Sequence, residues 1–307
     1  LKYESEWGGG TGRWEALTPL MRNAAENWKC ELERIRKLQW WDSVKGKVEG
    51  FPSSPVVNHI HPVALIGNFS AKRGFITLAM LRKVWQNAAV PDERLQGIAD
   101  EINANGEHYY LNTEVRLTHF FAQVFQEAGP GCILEEDLRY YTPSRLRIFR
   151  YFQHNPAEAE LYGYHPPRSG DAEAIANRAY AGKNGNNVNV ASGDGWRYRG
   201  RGLKQTTGRG NYRAFTNGYA KYWNSDFQNF EVNPELLATT KYGTRSGVYY
   251  WLSHKLYDIA DQTTEANADS KVDAITTLIN RNTDSYALRR ANYHRIMNAR
   301  IFRGIAA

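Results

Sequence analysis

Cysteine is nearly absent. Cys30 and Cys132 are the only two in 307 residues, and neither has Cys or His at ligand spacing beside it, which excludes a disulfide framework and a thiolate zinc site. Also missing is any apolar run approaching the ~20 residues that a bilayer span needs. With a mean hydropathy of −0.63, no membrane insertion is expected. The start Leu1-Lys2-Tyr3-Glu4-Ser5-Glu6 has neither an initiator Met nor a hydrophobic signal core, and the chain is read as a piece of a longer protein. Internal repeats and low-complexity tracts are absent too.

What is present describes a folded protein. Its length matches about two ordinary domains, and 42% hydrophobic residues suffice for real cores. Forty aromatic residues (9 Trp, 19 Tyr, 12 Phe) exceed what such cores require, and flat amphipathic rings suit sugar or base faces. The formal charge is +7, which implies an anionic partner without saying which. Residues 1–70 hold nine basic and eight acidic side chains, and residues 71–307 hold thirty and twenty-four, so the excess lies in the second part.

That imbalance marks two domains, an N-terminal adjunct over 1–70 and a larger domain over 71–307. In the first, Leu20, Met21, Ala24, Trp28, Leu32, Ile35 and Leu38 recur at three- and four-residue steps, which predicts a helix over 18–41 with one face packed on something. The following stretch through His59-Ile60-His61-Pro62 reads as extended chain and turns, and its lone His-x-His is read as a strand end, not a metal pair. From Thr77 almost everything reads as helix, with Thr77, Pro91-Asp92 and Asn112-Thr113 opening the first three. Further helices are expected near 145–152, 171–180, 234–239, 242–255, 271–279 and 287–301. A long Gly/Asn/Arg-rich loop, 181–211, interrupts them, and loops of that length are usually functional. The fold expected is mainly α.

One helix stands out chemically. Leu117, Phe120, Phe121, Val124, Phe125 and Ala128 form a helical stripe, and the helix stops at Gly129-Pro130-Gly131. Glu127 falls on the edge of that stripe and in the last turn, where desolvation and the negative end of the helix dipole both disfavour the ionised form. A carboxylic acid kept protonated is what general-acid catalysis needs. The same pattern also fits a surface glutamate at a fraying end. Glu135-Glu136 follow the reversal, and two carboxyls of opposite protonation state flanking a bond are the minimal apparatus for glycoside hydrolysis. Which of Glu135 and Glu136 faces a substrate is open.

The loop supplies the specificity. From Asp194 to Arg213 it carries six basic residues and one acidic residue, glycines that permit close backbone approach, and Gln, Thr and Asn that can bind hydroxyl and acetamido groups. Basic residues among Trp and Tyr also suit nucleic acid, but no nucleic-acid module signature accompanies them, so no nucleic-acid partner is expected.

Gly193-Asp194-Gly195-Trp196-Arg197-Tyr198-Arg199-Gly200-Arg201-Gly202-Leu203-Lys204-Gln205-Thr206-Thr207-Gly208-Arg209-Gly210-Asn211-Tyr212 closely resembles the signature of glycoside hydrolase family 19, in particular the bacterial and phage lysozymes related to plant chitinases. The likeness extends upstream in Ala174 to Ala181 and downstream in Asn233-Pro234-Glu235-Leu236-Leu237, Trp251-Leu252-Ser253 and Leu278-Ile279-Asn280. It covers roughly residues 77–302 and implies a lysozyme-like helical domain with a deep groove. By this resemblance Glu127 is the general acid, and Glu136, in Glu136-Asp137-Leu138-Arg139-Tyr140, is the base that activates water. Thr207 helps place that water, and Gln205, Asn211, Tyr212 and Asn280 line the sugar groove. The family inverts, which implies carboxyls ~6.5–9.5 Å apart. No metal or cofactor is implied. Gln126 stands where the family has His, and Arg281-Asn282 replace Gly-Gly after Asn280.

The activity expected from this is that of a muramidase, with peptidoglycan strands as substrate because acidic peptide stems suit a basic groove. A chitinase, a lytic transglycosylase and a non-catalytic wall-binding module are the rivals. The leading segment, with Tyr3 to Gly9, Arg13 to Thr18 and His61-Pro62, is similar to the stretch before lysozyme modules in type VI secretion effectors. That likeness implies delivery to the periplasm of a target bacterium, a secretion-apparatus partner and a cognate immunity protein.

Overall fold

A computed structural model of the chain describes residues 2–3, 12–38, 40, 44, 46–51, 56–57 and 75–305. The chain divides into two compact units, Leu1–Arg73 and Gly74–Ala307. His59 and His61 lie outside the described residues.

In the first unit the expected long helix is shorter and interrupted. Two single turns, Thr18–Leu20 and Arg22–Ala24, precede the helix Ala25–Leu38. Thr18 accepts a hydrogen bond from the Trp28 indole, and i,i+3 pairs such as Lys29–Glu26 and Arg34–Glu31 lie along the exposed face. Among the stripe residues whose side chains are described, Ile35 alone is buried, while Leu20 is 79% exposed. Lys2 and Tyr3 pair antiparallel with Val57 and Val56.

The second unit is helical, as the periodicity predicts. Its centre is the helix Glu114–Ala128, started by Thr113, whose hydroxyl accepts from the Arg116 N–H. Leu117, Phe120, Phe121, Val124 and Ala128 are buried, each large side chain contributing ~1.5–3 kcal/mol. The opposite face is buried as well, through Thr118, His119 and Gln123, because the helices Ala268–Asn280 and Tyr286–Asn298 close over it. Such all-round burial marks a core helix. Burial without a charged partner pushes His119 down to about 3, so it is a neutral interior ring.

After Ala128 the chain reverses. Gly129 adopts a positive φ of 67°, its carbonyl accepts from the Trp85 indole at 3.0 Å, and Ile133 N–H reaches back to the Ala128 carbonyl. The turn is therefore anchored to the core. A second, smaller apolar cluster follows, built on Leu138, Leu146, Phe152, Ala159 and Ile175.

Two features depart from the sequence reading. The helix expected over 145–152 is two short ones, Pro143–Leu146 and Arg150–His154. The loop 181–211 is not open: it holds the helix Asp194–Arg197, and the helix Arg209–Tyr222 begins inside it. Between them lies a miniature antiparallel arrangement, in which Gly202 N–H bonds Leu134 O, Glu136 N–H bonds Gly200 O, and Arg201 and Thr206 exchange both backbone bonds.

Candidate active site

That small β-ladder positions the acidic pair. Neighbours on an extended chain point to opposite faces, so Glu135 and Glu136 have different surroundings. Glu135 Oε1 accepts from Arg199 Nη2 at 2.6 Å and Arg201 Nε at 2.7 Å. Glu136 Oε1 accepts from the Tyr180 hydroxyl at 2.7 Å, and Oε2 from Gly200 N–H at 3.3 Å. Glu136 is half-buried, and burial pushes its carboxyl up from the ordinary range, against the opposing pull of Tyr180, Gly200 and Arg199.

Glu127 keeps an 11% exposed side chain between two cations. Arg289 Nη2 donates to Oε1 at 2.5 Å, and Lys204 Nζ to Oε2 at 3.3 Å. Arg289 itself is 2% exposed and also bonds Gln123 Oε1 at 2.7 Å and Ser285 Oγ at 3.0 Å. The sequence reading weighed desolvation and the helix end at Glu127 and missed both cations. Lys204 and Arg289 are separated from it by 77 and 162 positions.

A cavity of about 460 Å³ opens beside Glu127, walled by Lys204, Gln205, Thr207, Asn211, Tyr250 and Asn280 among others. Four predicted binding residues, Gln205, Thr207, Asn211 and Asn280, thus share one wall with the predicted acid. Tyr212 does not. It is fully buried, donating to Arg199 O at 2.8 Å and accepting from Arg201 Nη1 at 3.1 Å. This corrects its assignment to the groove, because its position on the inward face of the Arg209–Tyr222 helix makes it a prop under the loop. A larger cavity of about 800 Å³ lies near Thr113, Thr263 and Met297 and contains none of these residues.

Glu136 joins the site through Gly200, where a Cβ would stand 2.9 Å from Gln205 Oε1, 3.3 Å from Thr207 Oγ1 and 3.5 Å from Glu136 Cβ. A Cβ there would push the Gln205 carboxamide aside, so the glycine keeps these groups close together. Gln205 spends its amide N–H groups on Ile133 O and Gly202 O, which leaves its carbonyl oxygen at the meeting point. Gly202 has φ 72°, and a Cβ there would come within 2.3 Å of Ser246 Oγ. One loop therefore carries contacts to both carboxylates, at Gly200 to Glu136 and at Lys204 to Glu127.

The basic character of that loop is largely neutralised from within. Arg199 and Arg201 pair with Glu135, Lys204 with Glu127, and Arg209 and Arg213 with Glu231, whose carboxyl the two guanidiniums hold down at about 2. Arg197 bonds the Val232 carbonyl. The expectation that these cations face an anionic substrate is corrected accordingly. Exposed arginines without a carboxylate partner among the described residues include Arg145, Arg147 and Arg150, and also Arg22, Arg168, Arg281, Arg300 and Arg303. Arg145 stacks 3.9 Å from the Tyr141 ring, and Tyr141 is within electrostatic reach of Glu136.

Sequence reasoning also missed Tyr180 and Arg289. For Arg289 a signal existed: it stands four and seven positions before Tyr293 and Ile296, both buried, so a cation occupies the inward register of its helix. Among the described residues no three His, Cys, Asp or Glu side chains gather as a metal ligand set, and no helix is long and apolar enough to cross a membrane.

No family model matches the chain. A protein of Haemophilus influenzae described as a glycosyl hydrolase family 19 domain-containing protein is 33% identical over 182 residues, which are 59% of this chain and 82% of that protein. With a mainly helical fold, the ordered loop and that identity over most of the relative's length, the chain belongs to glycoside hydrolase family 19.

Proposed function

We propose that the chain is a muramidase that cleaves the β-1,4 bond between N-acetylmuramic acid and N-acetylglucosamine in peptidoglycan, with inversion. Glu127 donates a proton to the leaving oxygen, and Glu136 takes one from the attacking water. The observation that carries the reading is the loop 199–207, which touches both carboxylates and brings Gln205 and Thr207 both to the Gly200–Glu136 contact and to the cavity beside Glu127. Burial that raises Glu136 makes it a stronger base for water. Glu135, with its Oε1 bonded to two arginines, acts as the clamp for the ladder.

The preference for peptidoglycan over neutral chitin rests on exposed Arg145, which stacks on Tyr141 near Glu136, and on exposed Arg147 and Arg150 in the same stretch of chain, as sites for stem carboxylates. In this reading the enzyme acts on the wall of a target bacterium from the periplasmic side, delivered through a secretion apparatus and restrained in its producer by an immunity protein. Digestion of purified sacculi and of chitin oligomers, followed by mass spectrometry, tests the substrate. Muropeptides with free reducing ends, released faster than chitin fragments, are expected. Faster chitin cleavage would make it a chitinase, anhydro ends a transglycosylase, and binding without products a wall-binding module.

A further inference from the structure

The two oxygens of Glu127 are not equivalent. Oε1 accepts from Arg289, whose side chain is 3% exposed and tied to Gln123 and Ser285, so it is committed to the interior. Oε2 accepts from Lys204, and Lys204 lines the cavity whereas Arg289 does not. A general acid must carry its proton on an oxygen within hydrogen-bond reach of the leaving atom, and here only Oε2 is on that side. A protonated Oε2 is a far weaker acceptor than the carboxylate and an ammonium beside it favours the anion, so a proton on Oε2 and Lys204 at Oε2 oppose one another.

We propose that Lys204 is a positioning residue that caps the donor oxygen of Glu127 in the free enzyme and is displaced from it when glycan enters the cleft. This deepens the hydrolase reading above and rests on it. A resting place exists, since Nζ already lies 4.9 Å from the Tyr250 ring centroid, and an aromatic face accommodates a cation. As Lys204 withdraws, Oε2 takes a proton from solvent. That proton passes to the glycosidic oxygen as its bond to the anomeric carbon breaks. The hydroxyl of the attacking water bonds the same carbon, its other proton goes to Glu136, and the Glu127 carboxylate recovers its lysine.

The charged and titratable groups facing Glu127 are Arg289 from the Tyr286–Asn298 helix, Lys204 from the loop, and Tyr250 with His254 at the end of the Thr240–Ser253 helix. The experiment measures kcat/KM on sacculi against pH for wild type, Lys204→Met, Lys204→Gln, Lys204→Arg and His254→Gln. In parallel the glutamate carboxyls are followed by carbon-13 NMR, with the Glu127 signal assigned by its loss in Glu127→Gln.

The alkaline limb of the profile and the Glu127 titration are expected to move up by about one pH unit in the neutral variants, while Lys204→Arg and His254→Gln keep the wild-type limb. Coincident profiles and titrations in wild type and both neutral variants, each melting like wild type, would overturn the proposal. A wild-type enzyme that cleaves no glycan would overturn the hydrolase reading alone, and the titration would then still decide whether Lys204 governs this carboxyl.

Discussion

Replacing Arg289 by Met removes the interior partner of Glu127 while keeping the helix register and most of the side-chain volume. Three hydrogen bonds go with it, to Glu127, Gln123 and Ser285. Breaking a buried ion pair from one side costs ~3–5 kcal/mol because the surviving charge stays desolvated. Here Glu127 retains Lys204 and some exposure, which places the cost near the lower end, at about 3 kcal/mol. For a unit of this size each kcal/mol moves the midpoint by ~2–4 °C, so a fall of about 6–12 °C in thermal unfolding is expected. The variant Arg289→Met/Glu127→Gln, which removes the stranded charge, is expected to recover about 2 kcal/mol as coupling. A single-variant cost under about 1 kcal/mol, or no recovery in the double variant, would refute the view that this pair holds Glu127 in place.

Glu136→Gln is expected to lower turnover on sacculi by at least about 10²-fold without lowering the melting temperature. Its folded carboxyl is raised by burial, so ionising it costs more in the folded than in the unfolded chain. The associated stability is present at acid pH and lost as pH rises through the folded value, and the variant's gain in unfolding scans therefore appears at neutral pH and fades in acid. Tyr180→Phe deletes the donor to the Glu136 anion, and the acid limb of the rate profile is expected to shift to higher pH; an unmoved limb would remove Glu136 as the base. Gly200→Ala forces Gln205 Oε1 away from a Cβ 2.9 Å distant and is expected to cost about 10²-fold in kcat/KM, with wild-type activity contradicting the convergence. Changing Arg145, Arg147 and Arg150 together to Ala is expected to slow sacculus digestion about tenfold at low salt and to spare chitin oligomers; equal losses on both would sink the stem-carboxylate assignment.

The helical character was legible because it is written locally. The stripe from Leu117 to Ala128 and the cap at Thr113 depend on residues a few positions apart, and the structure reproduces them. The Glu127 surroundings were not legible, since its partners arrive from the loop and from the last helix. Nor was the β-ladder, whose rows are only three residues long and join Leu134–Glu136 to the distant Gly200–Gly202. Tyr212 shows the limit of carrying a role over by motif, because the pattern names the residue and packing decides whether its ring faces the groove or the core. The loop's arginines teach the same lesson about charge: composition counts Arg199 and Arg201 as free, and Glu135 takes both.

The acid and base roles of Glu127 and Glu136 are tested most directly by proton NMR of the first product formed from a defined peptidoglycan oligomer. An inverting acid and base acting on a β-linked bond give the α-anomer before mutarotation, and neither Glu127→Gln nor Glu136→Gln produces it. Initial appearance of the β-anomer, or formation of the α-anomer at wild-type rate by either variant, would contradict the assignment.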